Sequence, residues 1–322
     1  MNIFKNKIIF ITGGSGSWGN ELTSQLLKFN PKQIIVYSRG EISQVAMKRK
    51  FLNPKLRFVI GDVRDYSALK KATKNVDYIF HLAALKHVPI CEEQPEEAIK
   101  TNIIGTQNLI DVAIENKVKK VIDVSTDKAC SPLNLYGMTK SVGERLIQHA
   151  HQENPDIYFQ VIRGGNALGS NGSVVPFFID QIKRFNKITI TNTDMTRFFI
   201  TLPEAINLLF ISANSTYSGG LFVMKMPSCK IIDLANVLIK HYGTEDTKIE
   251  EIGIKQGEKI HEVLVSMYES SDCYEYTDKY YLIYPYKSLN LKKVTFKEYS
   301  SNDKLMNKKE IEDLLKKGGF IK

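Results

Sequence analysis

A short apolar run that leads directly into a glycine-rich loop and a helical pattern restricts this chain to few folds. Residues 8–11 are all apolar, and residues 12–19 read TGGSGSWG. Gly13, Gly16 and Gly19 recur at three-residue intervals where a strand would turn into a helix, which lets backbone amides approach a pyrophosphate. A glycine-rich turn without a ligand is the alternative, but the position between strand and helix favours nucleotide binding.

The rest of the first half repeats this alternation of short apolar runs and longer amphipathic ones. We predict strands at 7–12, 33–38, 57–60, 78–82, 120–125 and 159–163, with helices between them, for example over 19–29 and 96–115. Nearly continuous apolar strands separated by helices are typical of a parallel sheet covered on both faces. The sequence therefore predicts an α/β fold with a doubly wound parallel sheet of the Rossmann type, which binds ligands beyond the carboxyl ends of its strands.

The end of the second predicted strand indicates which dinucleotide the loop would bind. NAD-binding proteins usually have an acidic residue there for the ribose hydroxyls, whereas this chain has Ser38 and Arg39. Arg39 can donate two charge-assisted hydrogen bonds to a 2′-phosphate, which a carboxylate would repel. NADP is therefore favoured, and the alternative is that Arg39 only ends a strand in water. Asp62 and Val63, after the third strand, would suit the adenine ring or form a plain turn.

The second half of the chain has a different pattern. Its strands and helices are shorter, and the alternation fails near Pro176, Pro203 and Pro227. We predict an NADP-binding Rossmann domain at 1–165 and a smaller α/β substrate lobe at 166–322. Some segments of the lobe are expected to return to the first domain.

Charge, cysteine content and hydropathy argue against several classes of protein. The 44 lysine and arginine residues exceed the 35 acidic ones, giving a formal charge of +9 without a helix-turn-helix or aromatic-basic motif, so nucleic acid is not expected as a partner. The four cysteines are far apart and lack zinc-ligand spacing, which predicts no metal and a reducing compartment. No stretch approaches about 18 uninterrupted apolar residues, so we expect no membrane partner and a cytoplasmic location.

The residues that could carry out chemistry follow the fifth predicted strand. Residues 125–128 read STDK, and Tyr136 and Lys140 lie one helical turn apart at the start of the next helix. A lysine beside the phenol would lower the pKa of Tyr136 and make it a usable base. Asp127 and Lys128 add a second acid–base pair, which a simple dehydrogenase does not need. The alternative for this pair is a solvated salt bridge at a strand end.

Together these motifs resemble the extended short-chain dehydrogenase/reductase family, and within it the inverting UDP-N-acetylglucosamine 4,6-dehydratases that open pseudaminic acid biosynthesis. Retaining 4,6-dehydratases of the family, and one inverting relative, carry Met where this chain has Tyr136. Tyr136 together with His87 therefore points to the pseudaminic-type branch, although His87 is equally well explained as a structural histidine. The similar stretches cover nearly the whole chain: TGGSGSWG (12–19), YSR (37–39), GDVRD (61–65), ALKHVP (84–89), KTNIIG (100–105), STDKA (125–129), NLYGMTK (134–140), GSVVPFF (172–178), MTRFF (195–199), GEKIHE (257–262) and EYSSND (298–303).

The resemblance implies a homo-oligomeric enzyme whose cofactor is recycled within one turnover. Tyr136, assisted by Lys140, removes the 4-hydroxyl proton while hydride moves from C4 to NADP⁺, and Thr126 is a further catalytic residue. Lys128, which must be partly neutral, then abstracts the C5 proton, and Asp127 protonates the departing 6-hydroxyl. Hydride returns to C6, and reprotonation of C5 on the opposite face inverts that centre.

The resemblance also implies two sets of binding residues. The cofactor set comprises Gly13, Ser15, Gly16, Ser17, Trp18, Gly19, Ser38, Arg39, Asp62, Val63, Ala83, Lys86, Ser125, Tyr136 and Lys140. The substrate set comprises Lys86, Asn166, Val174, Pro176, Arg197, Lys255 and Glu258. Asn166 and Arg197 would face the phosphates of a UDP-sugar, Val174 and Pro176 the uracil, and Glu258 a ribose hydroxyl. Core packing explains the valine equally well.

Departures from the family pattern concentrate in the predicted substrate lobe. Gly164 replaces a tyrosine, and Asn171 and Lys255 each replace an arginine, whose bidentate fork a lysine does not reproduce. These changes leave the exact sugar open. The alternatives are a nucleotide-sugar 4-epimerase or a retaining 4,6-dehydratase on the same fold, and, from another class, a non-catalytic NADP-sensing module. The Asp127–Lys128 pair favours a dehydratase over an epimerase, and the Tyr136–Lys140 pair argues against a sensing module.

Overall fold

The first half of the chain alternates strands and helices, as its hydropathy predicts. The structure, a computed structural model, describes residues 2–170 and 172–322. Its first elements are β1 (Ile8–Thr12), α1 (Ser17–Leu27), β2 (Gln33–Ser38), α2 (Glu41–Phe51), β3 (Leu56–Ile60), α3 (Tyr66–Ala72), β4 (Tyr78–His81), α4 (Val88–Glu93), α5 (Pro95–Ile99), α6 (Gly105–Glu115), β5 (Lys120–Thr126), α7 (Leu135–Glu153) and β6 (Tyr158–Gly164). A π-helical turn, Lys100–Ile104, joins α5 to α6. All six predicted strands are confirmed to within one residue at either end.

The second half contains shorter elements. They are β7 (Asn166–Leu168), α8 (Val174–Phe185), β8 (Lys187–Ile190), β9 (Thr196–Thr201), α9 (Leu202–Ala213), β10 (Leu221–Met224), β11 (Ser228–Lys230), α10 (Ile231–Tyr242), β12 (Lys248–Glu251), β13 (Val263–Val265), β14 (Cys273–Glu275), β15 (Tyr280–Ile283), β16 (Tyr299–Ser300) and α11 (Lys308–Lys317). Helices α8, α10 and α11 enclose a second apolar core, separate from the one around the main sheet.

The main sheet has nine strands in the order β14-β15-β10-β6-β5-β4-β1-β2-β3. Strands β1 to β6 and β10 run parallel, and β15 and β14 add an antiparallel edge. The predicted doubly wound parallel sheet is therefore confirmed. Because β10, β14 and β15 come from the second half, that half contributes strands to the main sheet as well as its own small sheets. The boundary at residue 165 stays a prediction.

The strand order reverses between β1 and β4, and this is where such sheets open a crevice for ligands. Thr12, at the end of β1, is fully buried, and its hydroxyl accepts hydrogen bonds from the backbone amides of Leu82 (3.1 Å) and Ala83 (3.2 Å). The same oxygen lies 2.7 Å from Nδ1 of His81. Thr12 thus links the ends of β1 and β4 at the entrance of the crevice.

Candidate active site

The glycine-rich loop forms a close-packed turn at the end of β1. Gly13 has φ +62°, and a Cβ atom there would lie 2.9 Å from the backbone nitrogen of Ala83. A Cβ atom at Gly19 would lie 2.1 Å from the carbonyl oxygen of Gly14, so α1 packs directly on the loop. Helix α1 begins at Ser17 without a side chain capping its N-terminus. A helix N-terminus of this kind favours an anion, so the loop fits the pyrophosphate of a dinucleotide.

The end of β2 presents a cation rather than an acid. Arg39 is 56% exposed, and its guanidinium lies 3.9 Å from the carboxylate of Asp62. Arg64 binds that carboxylate much more closely, with Nε and Nη2 at 2.9 and 2.6 Å. Arg64 is thus the main partner of Asp62, and the guanidinium of Arg39 stays largely exposed to solvent. Asp62 itself forms part of a turn, and its contact with adenine stays a prediction.

The remaining predicted cofactor residues lie along the same edge of the sheet. Ser15 donates a hydrogen bond to Ser38 Oγ (2.8 Å), and Ala83 packs on the glycine-rich loop. Ser125, at the end of β5, is 8% exposed, and its hydroxyl has no hydrogen-bond partner within the described ranges. Trp18 packs against the main core, and Val63 is buried.

Lys50 is a cation near the glycine-rich loop that sequence reasoning missed. It lines a cavity of about 320 Å³ together with Ser15, Gly16, Ser17 and Leu202, among others. Lys50 belongs to none of the sequence motifs. It lies in the last turn of α2, and the packing of that helix brings it near the loop.

Asn102 holds the loop after β4 against α7. It is 1% exposed, and its side-chain amide exchanges two 2.9 Å hydrogen bonds with the backbone of Leu85. Its Nδ2 also lies 3.0 Å from the hydroxyl of Thr139. Asn102 belongs to the π-helical turn, a feature frequent at functional sites. It fixes the loop that carries Lys86 and His87. Asn102 was missed as a site residue, although it lies within the family stretch at 100–105.

Helix α7 is brought onto the end of β5 by a glycine. Asp127–Ala129 form a short 3₁₀ turn, and Asn134 caps α7 by accepting a hydrogen bond from the backbone of Gly137 (2.8 Å). A Cβ atom at Gly137 would lie only 2.2 Å from the carbonyl oxygen of Lys128. This close approach brings Tyr136 next to Lys128 and Thr126.

Gly137→Ala is therefore expected to destabilise the fold by about 1–3 kcal/mol, because α7 must move away from the backbone of Lys128. Gly143→Ala in the same helix is the matched control. A Cβ atom there would lie 3.6 Å from the nearest heavy atom, the oxygen of Asn102, which is an ordinary contact. The control should be neutral or more stable, since alanine favours helix by about 1 kcal/mol. Urea denaturation measures both, and equal stability of the two variants would contradict the close approach.

Four charged side chains form an alternating row beside Tyr136. The Nζ atom of Lys128 lies 2.9 Å from Asp127 Oδ1 and 3.4 Å from Glu262 Oε1, and Glu262 lies 3.7 Å from Nε of Arg197. The side chains of Asp127 and Glu262 are only 1% and 3% exposed. The alternative of a solvated salt bridge is therefore wrong. Glu262 was missed as a site residue, although it ends one of the family stretches.

This row keeps Lys128 charged. Burial lowers the pKa of Lys128, but the carboxylates of Asp127 and Glu262 more than offset it and raise the pKa above its ordinary value. The expectation that Lys128 is partly neutral is wrong for this structure. The amine must pass its proton to a neighbour before it can act as a base.

Tyr136 and Lys140 share a helix face but do not interact as predicted. Both carboxylate oxygens of Asp123 lie 3.2–3.3 Å from Nζ of Lys140, and both side chains are buried. Burial raises the pKa of Tyr136 to about 12, against the charge of Lys128 and a hydrogen bond with Thr126, which lower it. The predicted lowering by Lys140 is wrong, because Asp123 compensates that charge.

The predicted substrate residues are only partly brought together. Arg197 is 9% exposed, and its Nη1 donates to the carbonyls of Thr196 (2.7 Å) and Ile260 (3.1 Å). Asn166 begins β7, next to the strand of Arg197. Lys255 is exposed, and its backbone amide donates to the carboxylate of Glu258 (3.2 Å). No hydrogen bond or ion pair in the described part of the chain links this last pair to Lys128.

Three further positions clarify the predictions for this lobe. Val174 and Pro176 begin α8, with Val174 partly buried against the second core and Pro176 exposed. At Gly164 a Cβ atom would lie 2.8 Å from Sδ of Met224, so Met224 fills the space beside this glycine. His87 packs on Gly172, where a Cβ atom would lie 2.6 Å from its ring. Asn171 lies outside the described residues.

Comparison with known proteins assigns this site to a family. The family described as polysaccharide biosynthesis protein matches residues 9–284. The chain belongs to this family. An inverting UDP-N-acetylglucosamine 4,6-dehydratase of Campylobacter jejuni is 46% identical over 88% of this chain and 84% of its own length. The predicted resemblance to these enzymes, which are hydro-lyases, is confirmed.

Other relatives carry different names. A UDP-glucose 4-epimerase of Rickettsia massiliae is 41% identical over 97% of this chain and 96% of its own length. An uncharacterized membrane protein of Methanocaldococcus jannaschii is 42% identical over 99% of this chain and 98% of its own length. Within residues 2–170 and 172–322, every helix is too short or too polar to cross a membrane.

Solved structures agree with the fold. The X-ray structure of Pen from Bacillus thuringiensis superimposes with a TM-score of 0.95 at 40% identity, covering 99% of this chain and 100% of that chain. The dTDP-glucose 4,6-dehydratase DesIV from Streptomyces venezuelae superimposes with a TM-score of 0.73 at 19% identity, covering 79% of this chain and 86% of that chain. A likeness at this low identity shows the fold alone.

Proposed function

We propose that this family member catalyses the NADP-dependent 4,6-dehydration of UDP-N-acetylglucosamine with inversion at C5, giving a UDP-linked 6-deoxy-4-keto sugar. This is the reaction type that opens pseudaminic acid biosynthesis. The observation that carries the proposal is the buried Asp127–Lys128 pair beside Tyr136, since elimination needs a second acid and base and epimerisation does not. The 46% identical dehydratase supports the choice of substrate. A homo-oligomer and a cytoplasmic location stay predictions from the sequence.

The cofactor would be held by the glycine-rich loop, the end of β2 and the start of α7. NADP, when bound there, supplies the hydride acceptor for C4 and the hydride donor for C6. The loop offers a tight turn and an uncapped helix N-terminus for the pyrophosphate. Arg39 would bind the 2′-phosphate, because its fork is exposed and no acidic residue ends β2.

Tyr136 would accept the proton of the 4-hydroxyl at its phenol oxygen. With a pKa raised to about 12 by burial, the side chain is a neutral phenol, so it needs help to give up its own proton first. The charge of Lys128 and the hydrogen bond with Thr126 both act in that direction. Lys140 is paired with Asp123, so it would help to position α7. It would not be the main charge that lowers the pKa of Tyr136.

Asp127 and Lys128 would carry out the elimination. The side chain of Lys128 is 23% exposed, so its amine would be within reach of a substrate and would abstract the C5 proton. Asp127 has one oxygen on that amine and one, Oδ2, with no hydrogen-bond partner within the described residues. Oδ2 could therefore deliver a proton to the departing 6-hydroxyl. Reprotonation of C5 from the opposite face would invert the centre.

The substrate would lie across the carboxyl ends of β5 and β6, within reach of the second lobe. Arg197 and Asn166 are on neighbouring strands, which suits two phosphates, and Arg197 is already fixed by two carbonyls. Lys86, Val174, Pro176, Lys255 and Glu258 are proposed as further contacts of the nucleotide.

A nucleotide-sugar 4-epimerase is the second candidate, because relatives with that name match nearly the whole chain. An epimerase needs the oxidation at C4 and no elimination. The two reactions separate cleanly by product mass. Incubation of the purified protein with UDP-N-acetylglucosamine, followed by mass spectrometry, should show the loss of one water. Conversion without a change in mass would favour the epimerase.

Arg39→Ala is expected to weaken NADP⁺ binding about 10- to 100-fold, the loss of about 1.5–3 kcal/mol for a charge-assisted contact. NAD⁺ binding should be unchanged, because NAD⁺ lacks the 2′-phosphate. Arg49→Ala, which removes an exposed arginine elsewhere in α2, should alter neither affinity. Isothermal titration calorimetry measures all six values. An equal effect of Arg39→Ala on both dinucleotides would contradict the NADP assignment.

A further inference from the structure

Glu262 lies beside Lys128, yet the proposed reaction gives it no part. Its side chain is 3% exposed, and Oε1 is 3.4 Å from Nζ of Lys128. The second oxygen, Oε2, is buried and has no hydrogen-bond partner within the described residues. Burying a carboxylate with an unpartnered oxygen is costly, so its presence here calls for a reason.

The backbone of Glu262 is fixed from the C-terminal part of the chain. Its amide donates to Ser301 Oγ (2.9 Å), and its carbonyl accepts from the Ser301 amide (2.8 Å). Ser301 Oγ is also 2.6 Å from the hydroxyl of Thr196. A segment remote in sequence therefore holds the carboxylate against Lys128.

The charges around Lys128 leave few acceptors for its proton. Asp127 and Glu262 face the amine, Arg197 lies beyond Glu262, and Tyr136 is the other titratable group whose charge couples to it. In the reacting state Asp127 already carries the proton that it gives to the leaving hydroxyl, and Tyr136 accepts the proton of the 4-hydroxyl, so neither can take a further proton from Lys128. Glu262 is the carboxylate that remains.

We propose that Glu262 is a positioning residue for Lys128, which holds the amine between two carboxylates and takes the proton that the ammonium must lose before it acts as a base. An N–H bond of Lys128 breaks and an O–H bond forms at Oε1 of Glu262. The C5–H bond of the sugar then breaks, and its proton forms a new N–H bond on Lys128. This inference rests on the proposed function and deepens it.

The first test measures the protonation of Lys128 without any sugar. The NADP-loaded protein is labelled with limiting acetic anhydride at several mildly alkaline pH values, and the acetylation rate of Lys128 is read by mass spectrometry. Only the neutral amine reacts. Glu262→Gln removes one of the two facing negative charges, so Lys128 should be labelled about tenfold faster, as for a fall of about one unit in its pKa. Glu262→Asp should restore slow labelling.

Glu250→Gln is the matched control. Glu250 is on the exposed strand β12, where it pairs with Lys187, and the variant should leave the labelling of Lys128 unchanged. Equal labelling rates of Lys128 in wild type and Glu262→Gln would overturn the inference. Because Glu262→Asp keeps the charge, it distinguishes loss of the carboxylate from a general disturbance of the fold.

The second test follows turnover of UDP-N-acetylglucosamine. Glu262→Gln should lower kcat about 10- to 100-fold with KM nearly unchanged, and the acidic limb of the kcat–pH profile should move to lower pH, with partial recovery in Glu262→Asp. A purely structural role would not move that limb, and an unaltered profile would contradict the proton transfer. If wild type forms no dehydrated product while the labelling still responds to Glu262→Gln, the proposed function fails and the coupling of Glu262 to Lys128 stands.

Discussion

Lys128→Arg is expected to lower the rate of dehydration by about 10²–10⁴-fold while leaving the fold and NADP binding intact. Arginine keeps a positive charge between Asp127 and Glu262, but its guanidinium does not lose a proton in proteins and cannot act as the base. The variant therefore separates the chemical role of Lys128 from its role in neutralising two buried carboxylates. Product formation by mass spectrometry and NADP⁺ affinity by calorimetry are the measurements.

Lys128→Met provides the comparison for charge. Its rate of dehydration should fall as far as that of Lys128→Arg. It should also be less stable by about 3–5 kcal/mol, because two buried carboxylates lose the cation of Lys128. Oxidation at C4 does not need Lys128 as a base, so reduced cofactor should accumulate when Lys128→Arg is mixed with substrate. Dehydration by Lys128→Arg at more than a tenth of the wild-type rate would contradict the assignment.

Arg163→Met is expected to destabilise the protein by about 3–5 kcal/mol. Arg163 lies in β6 and makes paired hydrogen bonds to the carboxylates of Glu144 in α7 (3.0 and 2.6 Å) and Glu269 (3.0 and 2.9 Å). It also donates to the carbonyl of Leu264 (3.0 Å). All three charged side chains are largely buried. Without the guanidinium, two largely buried carboxylates face each other without a cation.

Two comparison variants make this prediction specific. Arg184→Met breaks a pair with Asp180 in which both side chains are at least half exposed, and it should cost less than about 1 kcal/mol. Adding Glu144→Gln and Glu269→Gln to Arg163→Met should recover most of the lost stability, because no uncompensated buried charge is left. Urea denaturation gives each free energy of unfolding. A cost for Arg163→Met no larger than that for Arg184→Met would contradict the buried network.

The same network predicts how stability depends on pH. Burial alone would raise the pKa of Glu269, but the charge and hydrogen bonds of Arg163 lower it to about 2. An unfolded glutamate titrates near pH 4.3, so the unfolded chain takes up this proton first. The contribution of ionised Glu269 to the free energy of unfolding is complete above about pH 4.3. It is lost as the pH falls towards about 2, where the free energy of unfolding decreases by up to about 1.4 kcal/mol per pH unit. Glu269→Gln should remove this part of the slope.

The parallel sheet and its ligand edge were predictable because their signals are local. Continuous apolar runs located six strands to within one residue, and glycines at fixed intervals located the turn where β1 meets α1. The same reasoning placed Tyr136 beside Lys128, since both follow β5 within one short segment.

The contacts that determine protonation were not predictable, because they join residues distant in sequence. The contact of Glu262 with Lys128 depends on the packing of the C-terminal segment against β9. The spacing of residues within α7 likewise does not reveal that Lys140 forms an ion pair with Asp123. One signal was available. Asp123 lies between Ile122 and Val124, and Arg163 follows Ile162, so both charges are expected to be buried, and a buried charge requires a partner. Such positions mark where an ion pair must form but not with which residue.

The proposed reaction eliminates water across C5 and C6 and protonates C5 from solvent on the opposite face. Proton NMR of UDP-N-acetylglucosamine incubated with the protein in D₂O tests it most directly. We predict a new methyl signal from C6, deuterium at C5 and ring couplings of the inverted sugar. Formation of the C4 epimer alone, with no methyl signal and no deuterium at C5, would contradict it.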